Sequence, residues 1–135
     1  MSVGLLLITH RHLGVELLET ATSTLGLCPL QTRSLEVFAE DDPQILVTRA
    51  VHLLREADAG DGVLVLTDAY GSTPGNVAVA AAEGHAARVV SGLNLPMLLR
   101  VLNYPDRPLA ELARAAAEGG RNGILDLGEQ EPLGS

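Results

Sequence analysis

Two unbroken apolar runs, Val3-Gly4-Leu5-Leu6-Leu7-Ile8 and Gly62-Val63-Leu64-Val65-Leu66, interrupt a chain whose other apolar positions recur every three or four residues. Runs of this length with no polar alternation are strands covered on both faces, the habit of parallel sheets. After the first run, Leu13, Leu17, Ala21 and Leu25 fall at spacing four and predict a helix with one core-facing stripe, stopped by Gly26. A second strand is predicted over Arg33 to Phe38, with Leu35 and Val37 on one face. Asp41-Asp42-Pro43 then supplies capping carboxylates and an early-helix proline, and Leu46, Ala50, Leu53, Leu54 and Ala57 continue a helical stripe. Gly60-Asp61-Gly62 turns the chain into the second apolar run.

The remainder repeats the alternation. Val77 to Glu83 predicts a short Ala-rich helix and Arg88 to Ser91 a fourth strand. Asn94-Leu95-Pro96 opens a helix carrying Met97, Leu98, Val101 and Leu102. Another, from about Pro108 to Glu118, uses Leu109, Leu112, Ala113 and Ala116 and is closed by Gly119-Gly120. Gly123 to Leu127 reads as a last strand, and 128–135 as a loose tail after a single domain over 1–127. Strands alternating with helices define an α/β protein, a doubly wound open sheet with helices on both faces. Such sheets bind ligands at the carboxyl ends of their strands, beside the switch in strand order.

That rule gives two residues weight. His10 ends the first apolar run and Asp68 the second, so both stand at one edge of the sheet if the two strands are neighbours. Just beyond Asp68, Gly71-Ser72-Thr73-Pro74-Gly75-Asn76 is a glycine-rich, hydroxyl-bearing turn opening a helix, where backbone N–H groups and the helix dipole favour an anion. A histidine accepts a phosphoryl group when one ring nitrogen is unprotonated and the other is held as N–H by a fixed acceptor, the role open to Asp68. Ser72 or Thr73 hydroxyls, with the N–H groups from Gly71 to Thr73, could bond the equatorial oxygens in the transition state.

Taken singly, each residue has a plainer reading. A lone histidine at a strand end satisfies a loop carbonyl more often than it does chemistry; Asp68 alone is a turn former, and Ser72 to Pro74 a helix start. Their joint placement favours a site. His12 raises a metal site as a competitor, but no Cys, third nearby His or paired carboxylate completes it and Arg11 opposes a cation. His52 and His85 read as structural or surface residues, Arg11 and Arg100 as solvated arginines able to attract phosphate, and the single Cys28 as a small buried hydrophobe.

Composition narrows the classes. The 135 residues, 47% hydrophobic, suffice for one layered core. A net charge of −8 and only 2% aromatics argue against nucleic acid and favour a partner with a basic surface. One cysteine and an N-terminal apolar run too short for a signal or a bilayer span lead to the expectation of a cytoplasmic protein. No Walker pattern occurs and the chain contains no lysine, so a nucleoside-triphosphate kinase fits poorly; the Gly-x-Gly-x-x-Gly fingerprint is also missing. The phosphoryl group would arrive already activated, with neither metal nor cofactor.

Three ordered segments carry a family resemblance: Gly4 to Gly14 with Thr9-His10 and Leu13-Gly14; Gly62 to Asn76 with Thr67-Asp68, Gly71 and Thr73-Pro74-Gly75-Asn76; and Ser91-Gly92-Leu93-Asn94-Leu95-Pro96-Met97-Leu98. In these the chain resembles the mannose-type (mannose/fructose/sorbose) enzyme IIA domain of the bacterial phosphoenolpyruvate-dependent sugar phosphotransferase system. The resemblance implies a phosphotransferase component: His10 accepts phosphate from the phosphocarrier HPr and passes it to a IIB component for sugar uptake, and Asp68 bonds the other ring nitrogen. It places the phosphate-contacting hydroxyl on Thr73, with Ser72 where the family often has glycine. It also implies strand order 2-1-3-4, plus a final antiparallel strand, here Gly123 to Leu127, exchanged in a homodimer. Membranes would be met only through permease subunits. The alternative is a regulatory interaction module in an incomplete phosphotransferase chain, whose target binding depends on phosphorylation of His10.

Overall fold

The computed structural model describes residues 2–26 and 30–128. Four strands, β1 (Gly4–His10), β2 (Thr32–Val37), β3 (Val63–Thr67) and β4 (Ala87–Ser91), form one parallel sheet in the order β2-β1-β3-β4. Five helices surround it: α1 (Leu13–Leu25), α2 (Pro43–Ala57), α3 (Thr73–Ala82), α4 (Leu95–Leu102) and α5 (Leu109–Asn122).

The two apolar runs are unbroken because their alternate residues enter two different cores. Leu5, Leu7, Leu64 and Leu66 pack with residues of α1, α4 and α5, while Leu6, Ile8, Val63 and Val65 pack with those of α2 and α3. Each run is therefore a period-two pattern with both phases apolar. The register aligns Gly4 with Val63 and Ile8 with Thr67, so β1 and β3 are neighbours and end together. Chain order reverses between them, with β2 beyond β1 on one side and β4 beyond β3 on the other. This is the switch point at which such sheets bind ligands.

Helix starts follow local chemistry. Asp42 caps α2 by accepting from the Gln44 N–H, with Pro43 in the first turn. Asn94 caps α4 through the Met97 N–H, and its amide also donates to the Gly120 carbonyl of α5. Gly26 ends α1 in the left-handed conformation (φ +80°).

Four expectations need correction. Leu13 is 44% exposed, because in the first turn of α1 it is Gly14 that faces β1, against Leu7 and Thr9; the core stripe begins with Leu17. Helix α3 starts at Thr73, not Val77, since Ser72 caps it and Pro74 fits its first turn. Helix α5 runs through Gly119-Gly120 to Asn122. Those glycines permit close packing instead of stopping the helix: a Cβ on Gly119 would stand 2.6 Å from Arg100 Cβ, and one on Gly120 2.9 Å from Met97 Cε. Finally, Gly123 to Leu127 forms no strand; among the described residues the outer edge of β4 is unpaired, and Ile124 (75%), Leu125 (58%) and Leu127 (78%) are exposed. A ladder partner is needed to make a strand, and among the described residues this segment has none. Cys28 and 129–135 of the tail lie outside the described residues.

Candidate functional site

Strand β1 delivers its last residue, His10, into solvent directly after the buried Thr9. Thr9 is fixed by its own hydroxyl, which accepts the Gly14 N–H at 2.8 Å and so ties the strand end to the first turn of α1. A Cβ on Gly14 would lie 2.9 Å from that oxygen, which explains a glycine four residues after the histidine. Asp68 follows the last residue of β3 and lies alongside.

One carboxylate oxygen, Asp68 Oδ2, accepts two bonds from the same residue: the His10 backbone N–H at 3.1 Å and ring Nδ1 at 2.7 Å. An ionised carboxylate only accepts, so Nδ1 is the donor in this contact, and in the neutral tautomer that makes it the lone pair stays on Nε2. The second bond, to the backbone, fixes the carboxylate relative to the ring it orients. The Asp68 side chain is 9% exposed against 49% for His10, so a buried anchor holds a solvent-facing imidazole. Asp68 Oδ1 is buried without a hydrogen-bond partner among the described residues.

The turn after Asp68 divides its hydroxyls between two tasks. Ser72 Oγ donates to the Ala69 carbonyl at 2.6 Å and accepts the Gly75 N–H at 3.3 Å, capping α3. Thr73 has no protein partner for its hydroxyl among the described residues and lines a crevice of about 640 Å³ with His10, Arg11, Phe38, Glu40 and Asp41. Gly71, at φ +79°, makes the turn and lines a separate, smaller pocket with Thr67, Tyr70 and Gly75. Of the three loop residues singled out from the sequence, the structure brings Thr73 to the crevice of His10 and gives Ser72 and Gly71 to the turn. Ser72→Ala should therefore cost about 1 kcal/mol of stability, read by urea unfolding. Thr73→Ala should leave stability within about 0.5 kcal/mol of the parent.

The other candidates separate. His12 is hydrogen-bonded through Nδ1 to Glu36 and sits edge-on to Phe38, with ring centroids 5.6 Å apart. His52 pairs with Glu56 one turn along α2 at 3.0 Å. Arg100 packs its stem against Gly119 and lines a cavity between α4 and α5, away from His10. Asn94 is committed to its cap and to α5. Sequence reasoning passed over the wall formed by the β2–α2 loop, Phe38 to Asp41. Its signal was the same sheet-edge rule that picked out His10: β2 pairs with β1, His10 opposite Val37, so the loop after β2 must border the site.

Arg11 departs from its neighbours. It adopts φ +48°, the left-handed region that costs an L-residue about 1 kcal/mol. Its N–H donates to the Val37 carbonyl at 2.8 Å, and its guanidinium carbon lies 5.9 Å from the Phe38 ring centroid.

The sequence and the fold both have counterparts among known proteins. A family model described as the PTS system fructose IIA component matches residues 4–116, and the chain belongs to that family of the phosphotransferase system. It is 29% identical over 131 residues to the PTS system mannose-specific EIIAB component of Escherichia coli (strain K12), a match that covers 94% of this chain and 40% of that protein. Among solved structures, the mannose/sorbose specific IIA subunit from Enterococcus faecalis superposes with a TM-score of 0.84 at 29% identity, covering 98% of this chain and 99% of that one. The EIIA component from Streptococcus agalactiae, 24% identical, shares the fold with a TM-score of 0.78 over 93% of this chain and 98% of that one. No helix among the described residues is long and apolar enough to cross a membrane.

Proposed function

We propose that this protein is a phosphohistidine carrier, taking a phosphoryl group from phospho-HPr onto His10 Nε2 and passing it to a IIB component during sugar uptake. The observation that carries the reading is the 2.7 Å contact from His10 Nδ1 to Asp68, which commits one nitrogen and frees the other. In the forward step the Nε2 lone pair forms a bond to phosphorus as the donor's bond to phosphorus breaks. Nδ1 keeps its proton, and the positive charge that grows on the ring is met by Asp68. In the onward step the same bond breaks toward the next acceptor and His10 returns neutral. Thr73, with its hydroxyl and its own backbone N–H at the start of α3, faces the oxygens of the group in flight.

Docking follows from charge and exposure. The net charge of −8 suits partners with basic rims around their own reactive side chains. Tyr70, 94% exposed beyond Asp68, and Leu13 offer apolar contacts close to the transfer point. A homodimer belongs to the same reading. The unpaired edge of β4, flanked by Arg88, Arg114 and Arg121, is a place for the apolar and acidic segment Gly123 to Leu127 of a second copy to add as an antiparallel strand.

Incubation with phosphoenolpyruvate, enzyme I and HPr tests the carrier role. Wild type should acquire an acid-labile, base-stable phosphate and His10→Ala none; label persisting on His10→Ala would remove the assignment.

A further inference from the structure

We propose that Arg11 is a direct ligand of the phosphoryl group on His10, an assignment that rests on the carrier reading above. The crevice it shares with His10 and Thr73 is otherwise acidic: Glu40 and Asp41 line it and Asp68 stands behind the imidazole. A phosphoryl dianion entering there meets three carboxylates. Of the two imidazoles nearby, His12 is engaged by Glu36, and His10 is the acceptor itself. Arg11 lines the crevice with no carboxylate partner among the described residues; its recorded side-chain neighbour is the Phe38 ring, which leaves the N–H fork available.

The backbone points the same way. A glycine would occupy φ +48° without strain, yet an arginine stands there, held by its N–H bond to Val37. Strain kept at a site edge calls for a contribution from the side chain. Partner docking is not that contribution, because partners complementary to this acidic protein are basic and Arg11 has the wrong sign for them. The sign is right for the cargo. In the transfer step the guanidinium takes no proton and forms no covalent bond; it donates N–H bonds to equatorial phosphoryl oxygens while phosphorus moves onto Nε2.

The test compares initial rates of transfer from phospho-HPr to wild type and to Arg11→Gln, Arg11→Gly and Arg11→Lys. Arg11→Gln and Arg11→Gly should each slow transfer about ten-fold or more, the loss expected for one charge-assisted donor at a partly exposed site. Arg11→Lys, which keeps the charge without the fork, should recover most of the rate. Arg11→Gly should melt within about 3 °C of wild type, because relief of the left-handed strain offsets the extra freedom of its unfolded chain. Wild-type rates in both Arg11→Gln and Arg11→Gly would overturn the assignment while leaving the carrier reading intact. A wild type that takes no label would instead overturn the carrier reading, and this assignment with it.

Discussion

Asp68→Asn should slow phosphoryl transfer about 10- to 100-fold in both directions with little change in melting temperature. Asparagine has nearly the shape of aspartate, and its carbonyl can still accept the two bonds that Oδ2 takes from the His10 ring and backbone. What it lacks is charge. A hydrogen bond to an ionised partner contributes about 1.5–3 kcal/mol, and here that stabilisation grows as the ring becomes positive on attack. The asparagine amide could also rotate to donate an N–H to Nδ1, which would favour a proton on Nε2 and block the nucleophile. Both effects act on the transition state and on the phosphorylated form. Stopped-flow transfer from phospho-HPr and back, with thermal unfolding as a control, checks the expectation; an unchanged rate would make Asp68 a structural residue.

Gly4→Ala should be the most damaging small substitution away from the site. The added Cβ would fall 2.0 Å from the Ala57 carbonyl oxygen and 2.7 Å from its carbon, a clash with the backbone at the end of α2 and not with a movable side chain. The start of β1 is also pinned, since the Gly4 N–H donates to the Gly62 carbonyl at 2.9 Å. Either β1, in the middle of the sheet, or the end of α2, packed on one of its faces, must shift. Overpacking of this kind costs about 3 kcal/mol, roughly a 10 °C fall in melting temperature for a domain of this size. Because β1 also carries His10, transfer measured below the melting point should fall too if the strand shifts along its axis. A variant that melts with wild type would show that β1 and α2 are less tightly seated than this packing implies.

Much of this architecture was legible because it rests on short-range rules. The apolar runs marked β1 and β3, and the capping residues Asp42 and Asn94 marked α2 and α4, since a side chain near its own helix end leaves a local signature. His10 and Asp68 emerged as a pair because each closes an apolar run and sheet geometry collects strand ends at one edge. The rest depended on contacts between distant segments. Gly119-Gly120 resembled a helix stop, and only the approach of α5 to α4 shows why glycine is needed mid-helix. Leu13 fits a helical stripe by spacing, yet in that turn it is Gly14 that faces β1. Ser72 and Thr73 look interchangeable in sequence; the turn at Ala69 distinguishes them by engaging one hydroxyl and leaving the other free. Gly123 to Leu127 has the composition of a strand and, among the described residues, no ladder to join.

The central claim concerns which ring nitrogen is free, and nitrogen-15 NMR of the His10 imidazole reads that directly. In the unmodified protein the proton should reside on Nδ1, hydrogen-bonded to Asp68, with Nε2 bare. After reaction with phospho-HPr, phosphorus should couple to Nε2 while the Nδ1 proton remains. A proton on Nε2 in the resting protein, or phosphorus bonded to Nδ1 after transfer, would contradict the account.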